Sequence, residues 1–381
     1  MEVSGYCAPG FESLFGVFAD NFRERGDTGA ALAVQQHGET IVSLWGGSAN
    51  REGDVAFSED TIANVFSSSK GVLATLALQQ VAAGKLELDR PVADYWPEFG
   101  QRGKERVTLR QLLSHRSGVV AFQDKVADDL IYDWDAACAQ VAASAPWWEP
   151  GSRQGYAPFL YGWTVGGLLE RATATPLAQL YRQGLAEPLE LHGGFGAFGH
   201  RSAQVADVGP LKKPLPELRE NAISRAIKAD RTSAVAMAFS NPVSLVMGTN
   251  SHAWREAMIP AANGHFSALD LAVLYGELAR EDATLLPREL IREAGSEQSS
   301  GQDAVLQAEV SFGCGFIRSG SAADLRFGGP QGFGHPGAGG SVGFADPERE
   351  LGFGYVSTRL GQSLFMDGRA VSLLQQLYGM L

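Results

Sequence analysis

"NVFSSSKGVLATLALQQVAAGKLELD" (Asn64–Asp89) sets three serines directly before a lysine, at the head of a strongly patterned helical run. With the helix starting near Ser67, each residue advances about 100°, so positions three apart share a face. Ser67 and Lys70 then meet one turn apart, while Ser68 points almost opposite the lysine and Ser69 well to its side. Ser67 is also the only serine in the chain with a lysine three positions on. Two readings fit. Serine is a favoured N-cap and lysine is common on helix surfaces, so the stretch can be an ordinary polar helix start. Alternatively, Ser67 is a nucleophile and Lys70 its partner.

The second reading has a definite chemistry. A serine hydroxyl attacks poorly until a base takes its proton. Lysine serves as that base if its pKa, about 10.4 when free, falls toward 7. Burial and the positive end of a helix dipole both push it down. A fall of about three units corresponds to roughly 4 kcal/mol, within reach of a partly buried helix N-terminus. The same N-terminus offers the Ser67 backbone N–H as one oxyanion donor.

Outward from this stretch, strand and helix patterns recur at both ends of the chain. Phe11, Leu14, Phe15, Phe18 and Phe22 fall at helical spacing and predict a helix from about Pro9 to Arg25. "GAALAVQQHGETIVSLWGG" reads as two strands around a turn at His37–Gly38. "GSVGFADPERELGFGYVST" reads as a second hairpin turning at Asp346–Pro347, and "MDGRAVSLLQQLYGML" as a terminal helix. Between them, Thr108 with Gln111 and Ser267 with Asp270 form capping-box patterns that start helices. Phe195–Asn241, rich in Pro, Gly and charge, predicts long loops with one short helix around Leu218–Lys228. The architecture is an α/β fold. One antiparallel sheet is built from both ends (1–85 and 305–381) and flanked by helices, and a mostly helical lobe with long loops (86–304) is inserted between them.

The 381 residues carry a net charge of −12, which argues against nucleic acid or an anionic membrane as a partner. No stretch approaches the roughly 18 consecutive apolar residues of a membrane span. The first residues show no basic region followed by an apolar run. Cys7, Cys138 and Cys314 are odd in number and far apart, which fits buried thiols in a reducing compartment. These features predict a cytoplasmic globular protein. The seven histidines show no metal-ligand spacing and the chain has no Walker loop, so neither metal nor cofactor is expected.

Five stretches share an order. They are "FSSSKGVLATLALQQVAAGKLELDRPVADYWPEF", "VTLRQLLSHRSGV", "WEPGSRQGYAPFLYGWTVGGLLERATATPL", "IPAANGHFSALDLAVLYGELA" and "FGHPGAGGSVGFADPERELGFGYVST". Through them the chain, from about Asn64 to Thr358, resembles the serine β-lactamase and penicillin-recognising fold. The likeness is greatest to class C β-lactamases and family VIII carboxylesterases. The resemblance implies that Ser67 is acylated, that Lys70 is its partner, and that Tyr156 of "QGYAPF" is the third member of the group. It also implies that Ala338 N–H is the second oxyanion donor, and that His335 and Gly337 line the substrate pocket where lactamases carry Lys-Thr-Gly. A glycine at 337 lets a strand backbone approach a bound ester closely. Whether Lys70 or Tyr156 takes the first proton stays open, and the group is expected to titrate as a unit.

Two departures shape the expected substrate. Pro158 stands where lactamases have the Asn of Tyr-x-Asn, so an amide that helps hold a β-lactam is missing. His335 replaces a lysine and is mostly neutral near pH 7. Both changes suit a small neutral ester, and family VIII esterases commonly carry histidine or tryptophan at that point. The resemblance therefore implies a carboxylesterase of small acyl esters, with β-lactams, D-amino-acid peptides or acyl transfer as alternatives, and a non-catalytic binding module as another. "GGSVG" (Gly339–Gly343) matches the Gly-x-Ser-x-Gly elbow, but strand-like sequence follows Ser341 and no histidine lies beyond His335, so Ser341 is not the expected nucleophile. His115 is expected to pack at a helix end. Phe122, Trp147, Trp148 and Trp254 either wall a pocket or fill the core.

Overall fold

The structure, a computed structural model, describes residues 3–196, 205–213, 215, 222–320 and 323–381. Turn chemistry sets the first part of the sheet. His37 and Gly38 both have positive φ, 52° and 81°, the combination that a tight two-residue hairpin turn requires. They join β2 (Gly29–Gln36) to β3 (Glu39–Gly47), after β1 (Val3–Cys7) and α1 (Ser13–Arg23). Helix α1 falls inside the expected Pro9–Arg25 and buries Leu14 and Phe18. The remaining strands come from the other end: β4 (Ser299–Gln302), β5 (Glu309–Phe312), β6 (Ile317–Arg318), β7 (Phe333–Pro336), β8 (Val342–Asp346) and β9 (Leu351–Ser357). The second hairpin turns after Asp346, which pairs with Leu351.

Among the described residues nine strands form one sheet in the order β1-β3-β2-β9-β8-β7-β6-β5-β4. Its ladders are antiparallel. The seam between the two ends of the chain is the β2–β9 ladder, where Val34 faces Phe353 and Leu32 faces Tyr355. Every residue of β8 and β9 is buried, as strands covered on both faces must be. Helix α6 (Ala268–Ala279) lies against β2, β8 and β9. A Cβ at Gly352 or Gly354 would meet its backbone at 2.1 and 2.0 Å, so glycine sets how closely that helix can lie.

Helices α2 (Ser69–Ala82), α3 (Leu109–Leu113) and α4 (Trp134–Ala143) pack on α5 (Leu160–Thr173). Both capping boxes form, with Thr108 and Ser267 accepting from the N–H groups of Gln111 and Asp270. From Ser69 to Leu78 every residue of α2 is buried, the mark of a helix running through the core. It starts at Ser69, two residues after the expected point, because Phe66–Ser68 winds as a tighter 3₁₀ turn. The chain ends on α7 (Gly368–Tyr378), which packs on α1.

The irregular region differs from expectation. Among its described residues are two short helices, Ala222–Ala229 and Ala234–Ser240, instead of one, the second capped by Ser233. The expected start at Leu218 lies outside the described residues. All three cysteines are free, Cys138 and Cys314 buried but Cys7 only half-buried.

Candidate active site

Ser67 sits in a turn held from several sides. Phe66 has φ 45°, a left-handed conformation that costs a bulky L-residue about 1–2 kcal/mol. Neighbouring bonds hold it there. Asn64 Oδ1 accepts from Phe66 N (3.0 Å), and Ser69 Oγ donates to Phe66 O (2.5 Å) while accepting from Gly264 N (3.0 Å). Ser341 Oγ donates to Val65 O (3.0 Å). Ser69 and Ser341 are thus tethers of the turn that carries Ser67. The Ser68 hydroxyl is buried without a partner.

Lys70 Nζ lies 3.2 Å from Ser67 Oγ, as the helical spacing predicts. It donates to the carbonyls of Pro158 (2.7 Å) and Ala261 (2.9 Å). The side chain is fully buried, and among the described residues no carboxylate pairs with it. Burial alone therefore drives its pKa well below the ordinary lysine value. A neutral amine has two N–H bonds and one lone pair. With both N–H bonds on carbonyls, the lone pair faces Ser67.

Tyr156 is buried and hydrogen-bonded to Ser67, its ring centroid 4.8 Å from Lys70 Nζ. Desolvation raises its pKa, the Ser67 bond offsetting only part of this and the Asp303 charge adding to it. The phenol is therefore protonated. Asp303, which sequence reasoning missed, fixes this residue through the backbone. Its Oδ1 accepts from the N–H groups of Tyr156 (3.1 Å), Val305 (2.9 Å) and Leu306 (2.8 Å). An Asp followed by hydrogen-bonded N–H groups two and three residues on is a local turn signal, but its bond to Tyr156 spans 147 positions. His115 packs after α3 as expected. It also reaches the site: its ring packs at a tilt against that of Tyr156, centroids 4.7 Å apart, and its Nδ1 accepts from Ala157 N (3.3 Å).

His335, on β7, lies 6.0 Å from the Tyr156 ring. Its Nδ1 is 2.7 Å from the Pro336 carbonyl, which can only accept, so Nδ1 carries the proton and Nε2 presents a lone pair. Burial, reinforced by Lys70, pushes its pKa down to about 3 and keeps it neutral. Gly337 is also demanded by packing within the protein. A Cβ there would meet Val65 O at 2.0 Å and Ser341 Oγ at 2.3 Å, so the strand end approaches the turn that carries Ser67.

Ser67, Tyr156, His335 and Ala338 open on one cavity of about 120 Å³. Its remaining wall is apolar, including Phe66, Phe159, Phe239, Leu306, Ile317 and Phe365, and among the described residues no charged side chain lines it. Phe122, Trp147, Trp148 and Trp254 do not line it. Phe122 and Trp254 are core residues.

This geometry has relatives. The beta-lactamase family model matches residues 18–376. The chain belongs to the beta-lactamase family. It is accordingly a serine hydrolase on that family's fold. Esterase/beta-lactamase LipL of Mycobacterium tuberculosis is 31% identical over 97% of this chain and 86% of its own length. Esterase EstB of Burkholderia gladioli is 34% identical over 46% of this chain and 49% of its own. Two solved structures align over their full lengths and all of this chain with a TM-score of 0.90. One is a penicillin-binding protein homologue from Caulobacter crescentus (37% identity), the other a family VIII carboxylesterase (32%). Among the described residues no helix is long and apolar enough to cross a membrane.

Proposed function

We propose that this beta-lactamase family member is a carboxylesterase of small neutral esters, acylated on Ser67. The observation that carries the reading is the cavity at Ser67, whose described lining is apolar and holds no cation for a substrate carboxylate. Two substitutions support it. Neutral His335 stands where lactamases have lysine, and at position 158, in place of an amide side chain, a backbone carbonyl of Pro158 binds Lys70. The esterases among the relatives point the same way.

In this mechanism neutral Lys70 takes the Ser67 proton as Oγ attacks the ester carbon. The N–H groups of Ser67 and Ala338 bind the oxyanion. Tyr156 donates its proton to the leaving alkoxide and regains one from Lys70. Water then attacks the acyl group by the same route in reverse and restores Ser67. Because burial lowers the amine and raises the phenol, the first base is Lys70 and the first acid Tyr156.

The test is turnover of p-nitrophenyl butyrate against nitrocefin, with mass spectrometry after a fluorophosphonate probe. Ester turnover and an adduct on the Ser67 peptide are expected. Rapid nitrocefin turnover without ester turnover overturns the substrate class. An adduct at Ser341 overturns the mechanism, and the lack of any adduct favours a binding module.

A further inference from the structure

The loop that carries Ala338 is held by a residue the mechanism does not use. Residues 337–341 join β7 to β8, and each of three successive peptide planes in this loop has a fixed partner. Gly337 O accepts from Gly340 N (3.1 Å), and Gly339 N donates to Ser363 O (3.0 Å). Gly339 O accepts from Gly361 N (2.9 Å) and from Arg369 Nη2 (2.5 Å).

A trans peptide keeps its C=O and the following N–H antiparallel in one plane. Orienting Gly339 O therefore orients Gly340 N–H, which holds Gly337 O. The Gly337 carbonyl shares its plane with Ala338 N–H. Two peptide planes thus link a guanidinium on α7 to the second oxyanion donor.

Arg369 is itself immobilised. It is fully buried. Its Nη1 donates to Asp27 Oδ1 (2.7 Å), Arg359 O (2.6 Å) and Ser357 Oγ (3.0 Å). Its Nε and Nη2 donate to Asp367 at 3.0 and 2.6 Å. Gly340 leaves room for it: a Cβ there would lie 2.6 Å from Nη2.

We propose that Arg369 is a positioning residue that aims the Ala338 N–H at the oxyanion through the Gly339–Gly340 and Gly337–Ala338 peptides. The idea rests on the esterase reading with Ala338 as a donor. It assigns the buried Asp27–Arg369–Asp367 cluster to transition-state geometry as well as to stability.

The test is Arg369→Lys, which keeps the charge and loses the fork, assayed on matched ester and thionoester substrates. Sulfur accepts hydrogen bonds poorly, so the thionoester depends little on the oxyanion donors. Loss of a whole donor lowers kcat about 10²–10³-fold. A misaimed donor is expected to lower ester kcat about 10–100-fold, with KM nearly unchanged and the thionoester rate within about threefold of wild type. A folded variant with unchanged ester kcat, or with both substrates slowed equally, overturns the proposal. Should Arg369→Lys not fold, Asp367→Asn releases the same Nη2 and is judged by the same ratio. Fluorophosphonate labelling separates the two levels. A wild type labelled at Ser67 but insensitive at Arg369 overturns this inference alone, and a wild type unlabelled at Ser67 overturns both.

Discussion

Lys70 and Arg369 are both basic side chains with no exposed surface, and they resolve that situation in opposite ways. Lys70 has two backbone carbonyls, one hydroxyl and no carboxylate. Arg369 has two carboxylates, Asp27 and Asp367, on one guanidinium, and they hold it charged. Desolvation penalises the charged form of either. Lysine can escape by giving up its proton, whereas arginine cannot. The same burial therefore produces a reactive amine in one place and a rigid ionic brace in the other. What differs is whether the fold supplies a counter-charge.

The largest test of this contrast puts arginine in the lysine's place. Lys70→Arg keeps a cation beside Ser67 but removes any base, so ester kcat is expected to fall about 10³–10⁴-fold, as far as in Lys70→Ala. Retained activity would mean that Lys70 acts through its charge. Next, Asp27→Ala strips one counter-charge from Arg369. Urea unfolding is expected to show a loss of about 3–5 kcal/mol, because a buried charge is left under-paired; a loss below 1 kcal/mol would show that Asp367 alone suffices.

A pH profile reads the amine directly. Free lysine at pH 7 is neutral in roughly four molecules in ten thousand. With the folded pKa of Lys70 lowered, the neutral form persists to lower pH. Ester kcat/KM is expected to reach its plateau well below the free lysine value and to fall as pH drops through the lowered pKa. A rate still rising tenfold per unit at pH 9 would place the base near the free lysine value. The smallest effect belongs to a neutral contact. Ser341→Ala removes one donor to Val65 O, which still accepts from Ser68 N (3.1 Å). A loss of about 1 kcal/mol is expected in urea unfolding, with labelling at Ser67 retained.

Features set by neighbouring residues were legible in the sequence. The His37–Gly38 turn, both capping boxes and the Ser67–Lys70 approach depend on spacings of one to three positions, and each formed as read. Short strands were not legible. Ser299–Gln302, Glu309–Phe312 and Ile317–Arg318 have two to four residues and take their identity from pairing. The helix Ala234–Ser240 was missed within a region whose composition pointed to loops. The tight packing at Gly337 was not legible, since the Val65 carbonyl filling its Cβ position lies in a turn far away in sequence. Asp303 and Arg369 had no local signal for their roles.

The β2–β9 seam and the Asp27–Arg369 pair share one further property: the ion pair joins positions 342 residues apart. During synthesis the nucleophile turn, its lysine and Tyr156 leave the ribosome long before α7 does. A nascent chain at that stage has its serine but no brace for the loop opposite. Under the positioning role proposed for Arg369, full ester turnover awaits the docking of α7.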